Sequence, residues 1–177
     1  MSISIAEEKD IGALVALMDI AYRGEHSKKG WTSEADLFIG NKRTDEAAVE
    51  KLIKRPGSGF LKYMQGEKIE GCVYLHKKEN RLYLGMFSVS PSAQGKGIGK
   101  KLLTAADQYA IERNCSSIFM TVITVREELI AWYEKNGYQK TGETLPFPVD
   151  ERFGTPTQPL EMLVLEKRLQ PKTKGLH

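Results

Sequence analysis

The stretch Phe87-Ser88-Val89-Ser90-Pro91-Ser92-Ala93-Gln94-Gly95-Lys96-Gly97-Ile98-Gly99-Lys100-Lys101-Leu102-Leu103 decides how this chain is read. An apolar strand runs into a turn with three glycines at alternate positions. A helix follows, with Ile98, Leu102, Leu103, Ala106, Tyr109 and Ala110 recurring on one face. Glycines let backbone approach an anion closely, and amides converging at a helix N-terminus offer a phosphate both hydrogen bonds and a favourable dipole. The turn from Gln94 to Lys100 is therefore a candidate pyrophosphate cradle, and a ligand-free glycine-rich turn is the plainer alternative. The dinucleotide pattern G-x-G-x-x-G fails, because Lys100 stands where the third glycine belongs. The P-loop pattern fails as well, with Gln94 at its first glycine and Lys101 at its Ser/Thr position. What remains is Q-x-x-G-x-G.

Working outward, Arg81 to Val89 reads as a strand preceded by two more, Phe60 to Met64 and Ile69 to His76, with short polar turns between them. This predicts an antiparallel meander. Further upstream, Ile3 to Ala6 is a candidate strand. Asp10 can cap a helix that places Ile11, Leu14, Val15, Met18, Ala21 and Tyr22 on one face and stops near Gly24. Residues Arg23 to Arg43 are irregular, and a short helix begins after Thr44 with Asp45 and Glu46 in its first turn and Val49, Leu52 and Ile53 inward. Downstream come a strand from Ser117 to Val125, a helix from Arg126 to Lys135 closed by Asn136-Gly137, and strands Tyr138 to Thr144 and Leu160 to Leu169. The four prolines between Leu145 and Pro159 mark a long surface loop. The order βααβββαβαββ predicts an α+β fold, a mixed and mainly antiparallel sheet flanked by helices.

With 177 residues, 41% of them hydrophobic and 28% charged, the chain has enough apolar surface for a packed core. It is expected to form one domain over residues 1–170, followed by a short basic tail at 171–177. No apolar run is long enough to span a bilayer, and the N-terminus turns acidic at Glu7-Glu8, so a cytoplasmic protein without a membrane partner is expected. The net charge of +3 is too small and dispersed to draw nucleic acid. Cys72 and Cys115 each sit in an apolar run and read as buried free thiols. His26, His76 and His177 have no partner at metal-ligand spacing, so no metal is expected.

The segment Leu84 to Leu103 resembles the coenzyme A-binding signature of the GNAT superfamily of N-acetyltransferases. Leu129-Ile130-Ala131-Trp132-Tyr133-Glu134-Lys135-Asn136-Gly137-Tyr138 resembles the next motif of that superfamily, a helix with an aromatic-Tyr-Glu-Lys run ending in Gly and an aromatic. The two motifs stand in the expected order, and the element order is similar to the GNAT fold along nearly the whole chain. The resemblance implies acetyl-CoA as cosubstrate, with its pyrophosphate on the backbone of Gln94, Gly95, Lys96, Gly97, Ile98, Gly99 and Lys100. Its pantetheine arm would pair like an extra strand with Phe87, Ser88 and Val89, whose strand splays from the Ser117 to Val125 strand. It further implies Tyr133 as the general acid that protonates the departing thiolate. A core aromatic on an amphipathic helix is the alternative for Tyr133. The sequence departs from the pattern where many members carry a cofactor-orienting asparagine and this chain has Val125-Arg126-Glu127-Glu128. Arg126 takes over that contact, binds a phosphate of coenzyme A, or is a surface arginine.

Nothing in the sequence identifies the acceptor. Acidic residues of the two irregular segments, Glu34 and Asp36 among them, would suit a cationic amine, although a solvated loop charge is the better reading of any one of them alone. Trp31 is either a loop anchor or a wall of the substrate pocket. The expected function is direct acetyl transfer to a primary amine of a small molecule. A protein lysine or N-terminus as acceptor, and a noncatalytic acyl-CoA-binding module, are the alternatives. Edge pairing by the last strand, Leu160 to Leu169, is an available route to a homodimer.

Overall fold

The computed structural model describes residues 2–22, 38–39, 44–147 and 155–170. Seven strands form one sheet: β1 (Ser2–Ile5), β3 (Ser58–Gln65), β4 (Lys68–Lys78), β5 (Arg81–Val89), β6 (Ser117–Ile123), β7 (Gln139–Pro146) and β9 (Glu161–Arg168). They lie in the order β1-β3-β4-β5-β6-β9-β7. Every neighbouring pair is antiparallel except β5 and β6, which are parallel because helix α3 (Ile98–Glu112) crosses over between them. Three more helices are described, α1 (Ile11–Tyr22), α2 (Glu46–Lys54) and α4 (Glu127–Lys135). The mixed α+β sheet is the one that the periodicities predict.

The alternation of each strand sorts its side chains onto two faces. On one face Val73, Leu75, Leu82, Leu84, Ile118 and Met120 pack with Leu102, Leu103 and Ala106 of α3 and with Leu129, Ile130 and Tyr133 of α4. On the other, Phe60, Cys72 and Tyr74 pack with Leu14, Leu17 and Met18 of α1 and Val49 of α2. The centre of β4 is buried on both faces for this reason. Asp45 caps α2 from outside its first turn, accepting the Ala48 N–H at 2.8 Å. Asp10 ends a 3-10 turn rather than capping α1. Its carboxylate accepts the Glu7 N–H at 2.8 Å and the Lys62 ammonium at 2.8 Å, which ties the start of α1 to β3.

Two findings revise the sequence reading. First, β9 is an interior strand: Phe119 of β6 pairs with Glu166 on one side, and Lys140 of β7 pairs with Leu165 on the other. Edge pairing by Leu160 to Leu169 is therefore unavailable as a route to a dimer, because both rows of its backbone groups are already used. The edge strand on this side of the sheet is β7, exposed throughout, and it is blunted by a register shift between Lys140 and Thr144 that contains Gly142 at φ +91°. Second, the two irregular segments each contribute a short strand, β2 (Phe38–Ile39) and β8 (Thr155–Pro156). These pair antiparallel, Phe38 with Pro156 and Ile39 with Thr155, so the α1–α2 connection and the proline-bearing loop are hydrogen-bonded to each other.

Candidate active site

The parallel pair β5–β6 holds register only through Arg81↔Ser117, Leu82↔Ile118 and Tyr83↔Phe119. Beyond Tyr83 the two strands part, while β5 stays paired to β4 as far as Gly71↔Val89. Between them lies a cavity of about 90 Å³ that reaches both faces of the sheet, bordered by Leu84, Phe87, Met120 and Tyr133 on the α3 side and by Tyr83, Thr121 and Met162 on the other. The splay expected beside Phe87, Ser88 and Val89 is thus present.

A bulge shapes the open edge of β5. The register shifts between Cys72↔Ser88 and Tyr74↔Gly85, and Met86 takes φ +49°, a left-handed conformation unusual for a residue with a side chain. The Met86 carbonyl is turned inward to accept the Ser88 hydroxyl at 3.1 Å. A bulge releases backbone groups from the ladder and re-aims them, which is how a strand can offer N–H donors to something other than a neighbouring strand. Sequence reading had no signal for Met86, since a bulge arises from a mismatch between two strands.

The glycine turn adjoins this opening. The Gln94 side chain donates to the Val89 carbonyl at 3.1 Å and so fastens the turn to the end of β5. Gly95 and Gly97 have φ +87° and +78°, and a Cβ on either would meet nothing within 4 Å. Both glycines are exposed at the N-terminus of α3, where Gly97 is the cap residue and no side chain caps the helix. This is the arrangement an anion needs. Lys96 and Lys100 are exposed on either side. A second cavity, of about 310 Å³, lies against Val89, Gly95, Gly97, Lys100 and Trp132. The residues present thus fit a pyrophosphate followed by an extended arm. Gly99 also lines this cavity and has a packing role besides, for a Cβ there would come within 3.0 Å of the Phe87 ring and 3.3 Å of Trp132. It lets α3 close onto those aromatics. Ile98 faces inward and is a core residue.

Phe87 borders the first cavity and Trp132 the second. It stacks on Trp132 at 5.6 Å and lies 6.0 Å from Tyr133. Tyr133 projects from the buried side of α4 onto the opening, with Tyr138 beneath it at 5.8 Å. Tyr138 is sealed in the core, where burial and then the Asp107 carboxylate hold its phenol well above the usual range. Tyr138 does not border the opening, whereas Tyr133 does. Arg126 is the residue before α4 and also borders the opening. Trp132 was quoted in the motif but not singled out as lining the site, although the helical repeat puts it beside Tyr133. Trp31, Glu34 and Asp36 lie outside the described residues. Among the described residues no group of three His, Cys, Asp or Glu could hold a metal ion.

Comparison with known proteins agrees with this geometry. Residues 16–138 match the model of the acetyltransferase (GNAT) family. N-acetylaspartate synthetase of Danio rerio is 30% identical over 156 residues, covering 86% of this chain and 53% of that protein. Spermine/spermidine N(1)-acetyltransferase of Bacillus subtilis (strain 168) is 34% identical over 67 residues, 37% of this chain and 44% of that protein. The chain thus spans about half the length of the curated relatives it matches. The crystal structure of the ribosomal-protein-S18-alanine N-acetyltransferase from Escherichia coli superposes with a TM-score of 0.71 at 14% identity, covering 99% of this chain and 98% of that one, a likeness of fold. The splayed parallel strands, the open glycine turn at the head of α3 and a family match that runs through both motifs lead to one conclusion: this chain belongs to the GNAT acetyltransferase family.

Proposed function

We propose that the chain is an acetyl-CoA-dependent N-acetyltransferase that delivers an acetyl group to a primary amine of a small molecule, by direct transfer in a ternary complex. The observation that carries this reading is the opening between β5 and β6, bordered by Tyr133 and adjoined by the glycine turn. Bound acetyl-CoA supplies the acetyl group as a thioester. The N–H groups of Gln94 to Lys100 hold its pyrophosphate, and the edge of β5 that faces the opening at Phe87, Ser88 and Val89 takes the extended arm by strand-like pairing. Backbone N–H donors beside the Met86 bulge polarise the thioester carbonyl, where negative charge develops. Tyr133 gives its phenolic proton to the leaving sulfur and is reset by the proton that the attacking nitrogen sheds, so the products are the amide and the free thiol of coenzyme A. The transfer suits a phenol, whose ordinary pKa of about 10 lies just above the roughly 8.5 of a thiol. Arg126, at the end of the opening, orients the arm or meets a phosphate.

Direct transfer is supported by the state of the two cysteines. Burial pushes the Cys72 thiol up to about 12, and burial raises Cys115 as well, so neither supplies a thiolate nucleophile near neutral pH. Relatives named for N-acetylaspartate synthesis and for spermine and spermidine acetylation support a small amine as acceptor. The pairing of β2 with β8 supports it too, since joined loops narrow a groove into a pocket. The reading places this activity in one domain spanning residues 1–170, in the cytoplasm.

A panel of polyamines, amino acids, aminoglycosides and basic peptides, assayed for coenzyme A release, tests the reading. Turnover of one or more small amines is the expected result. Acetylation of long peptides with no small-amine turnover would overturn the acceptor class, and acetyl-CoA binding without any turnover would overturn the enzyme.

A further inference from the structure

A second tyrosine borders the opening, from the face opposite to Tyr133. Tyr83 and Gly85 are two residues apart on β5 and share a face of the strand, the one turned toward α1 and α2. A Cβ on Gly85 would lie 2.7 Å from Cε2 of Tyr83, 2.9 Å from Cζ and 2.8 Å from the hydroxyl oxygen. The phenol ring therefore lies along the strand, over Gly85, with its hydroxyl carried toward the C-terminal half of β5. Tyr74 holds the ring edge-on at 6.3 Å, and Phe119 packs on it at 5.5 Å. Tyr83↔Phe119 is the last pair before β5 and β6 separate, so the hydroxyl is delivered to the rim of the opening.

We infer that Tyr83 binds the acceptor: its hydroxyl accepts a hydrogen bond from the amine and aims the nitrogen through the opening, and Gly85 lacks a side chain so that the ring can lie there. The inference rests on the acetyl-transfer reading above and adds the residue that meets the other substrate. Its chemistry suits the step. The described residues bordering the opening, on either face, include no carboxylate. A neutral hydroxyl holds an amine N–H without favouring the ammonium form, and only the unprotonated amine has the lone pair that attacks a carbonyl. Donor and acceptor would then approach from opposite faces of the sheet, one against Tyr133 and the other against Tyr83.

The test is steady-state kinetics on the full chain with spermidine, L-aspartate and the other amines of the panel, for the parent, Tyr83→Phe, Gly85→Ala and Tyr133→Phe, with acetyl-CoA affinity measured by calorimetry. Tyr83→Phe is expected to raise the acceptor KM about tenfold, the loss of one substrate hydrogen bond, with acetyl-CoA affinity unchanged. Gly85→Ala keeps the hydroxyl but displaces the ring, and it should raise the same KM. Tyr133→Phe should lower kcat instead. An unchanged acceptor KM in Tyr83→Phe, or an equal weakening of acetyl-CoA binding, refutes the assignment while leaving acetyl transfer intact. A parent enzyme that turns over no amine refutes the acetyl-transfer reading itself.

Discussion

Gly97 is where the phosphate cradle can be tested apart from the fold. Its φ of +78° and ψ of 8° lie in the left-handed region, and the position where a Cβ would go is open. Replacing it by alanine adds no clash in the free protein and costs only backbone strain, about 1–2 kcal/mol. For a chain of this length that lowers the melting midpoint by roughly 2–8 °C, within a total stability of about 5–15 kcal/mol, so the variant still folds. A ligand held as proposed meets a different situation, because the new methyl takes up the open space in which a phosphate oxygen would approach the amides of the turn. Losing one hydrogen bond to a charged group costs about 1.5–3 kcal/mol, or roughly ten- to a hundredfold in acetyl-CoA affinity. Gly97→Asn separates strain from obstruction. Asparagine tolerates the left-handed conformation and caps helices well, so it should recover much of the stability yet lose similar affinity. The assays are thermal unfolding by circular dichroism and calorimetric titration with acetyl-CoA. Parental affinity in both folded variants would falsify the cradle.

Tyr133→Phe should retain the fold and acetyl-CoA affinity while turnover on a panel amine falls by about 10²–10⁴-fold; a parental rate would reduce Tyr133 to a packing residue. Gly99→Val drives a side chain into Phe87 and Trp132, already 3.0 and 3.3 Å from the Cβ position, and should cost about 1–3 kcal/mol in urea unfolding and shift tryptophan fluorescence; no change in either contradicts the packing role. At the Asp10–Lys62 pair, burial alone would raise the Asp10 carboxyl, but the Glu7 N–H and the Lys62 ammonium outweigh it and hold the group below its ordinary 3.8. Its stabilisation is therefore present at neutral pH and lost as pH falls from about 4 through the lowered value. Lys62→Met should cost about 3–5 kcal/mol at pH 7 and progressively less than that below about pH 4, whereas a difference independent of pH would show that the charge is not what matters.

Local pattern made much of this fold legible. The 3.6-residue spacing of Ile98, Leu102, Leu103 and Ala106 and the glycines before them predicted both the helix and the open turn, because each depends on residues close together in the chain. Asp45, at the start of its helix, was legible for the same reason. Tyr133 could be placed on the buried face of α4 from the period alone, and the two motifs pointed to the family before any coordinate did.

Only the tertiary structure decided the rest, because it depends on which strands meet. The insertion of β9 between β6 and β7 is a long-range choice that no local pattern encodes, and it moved the sheet edge to β7. The left-handed Met86 follows from a mismatch of β5 against β4, and the opening exists because β5 and β6 stop pairing after Tyr83. Tyr83 alternates along β5 like any half-buried strand residue. What singles it out is a ring laid across Gly85 at the point where two strands part, and that relation comes into being only when the sheet is assembled.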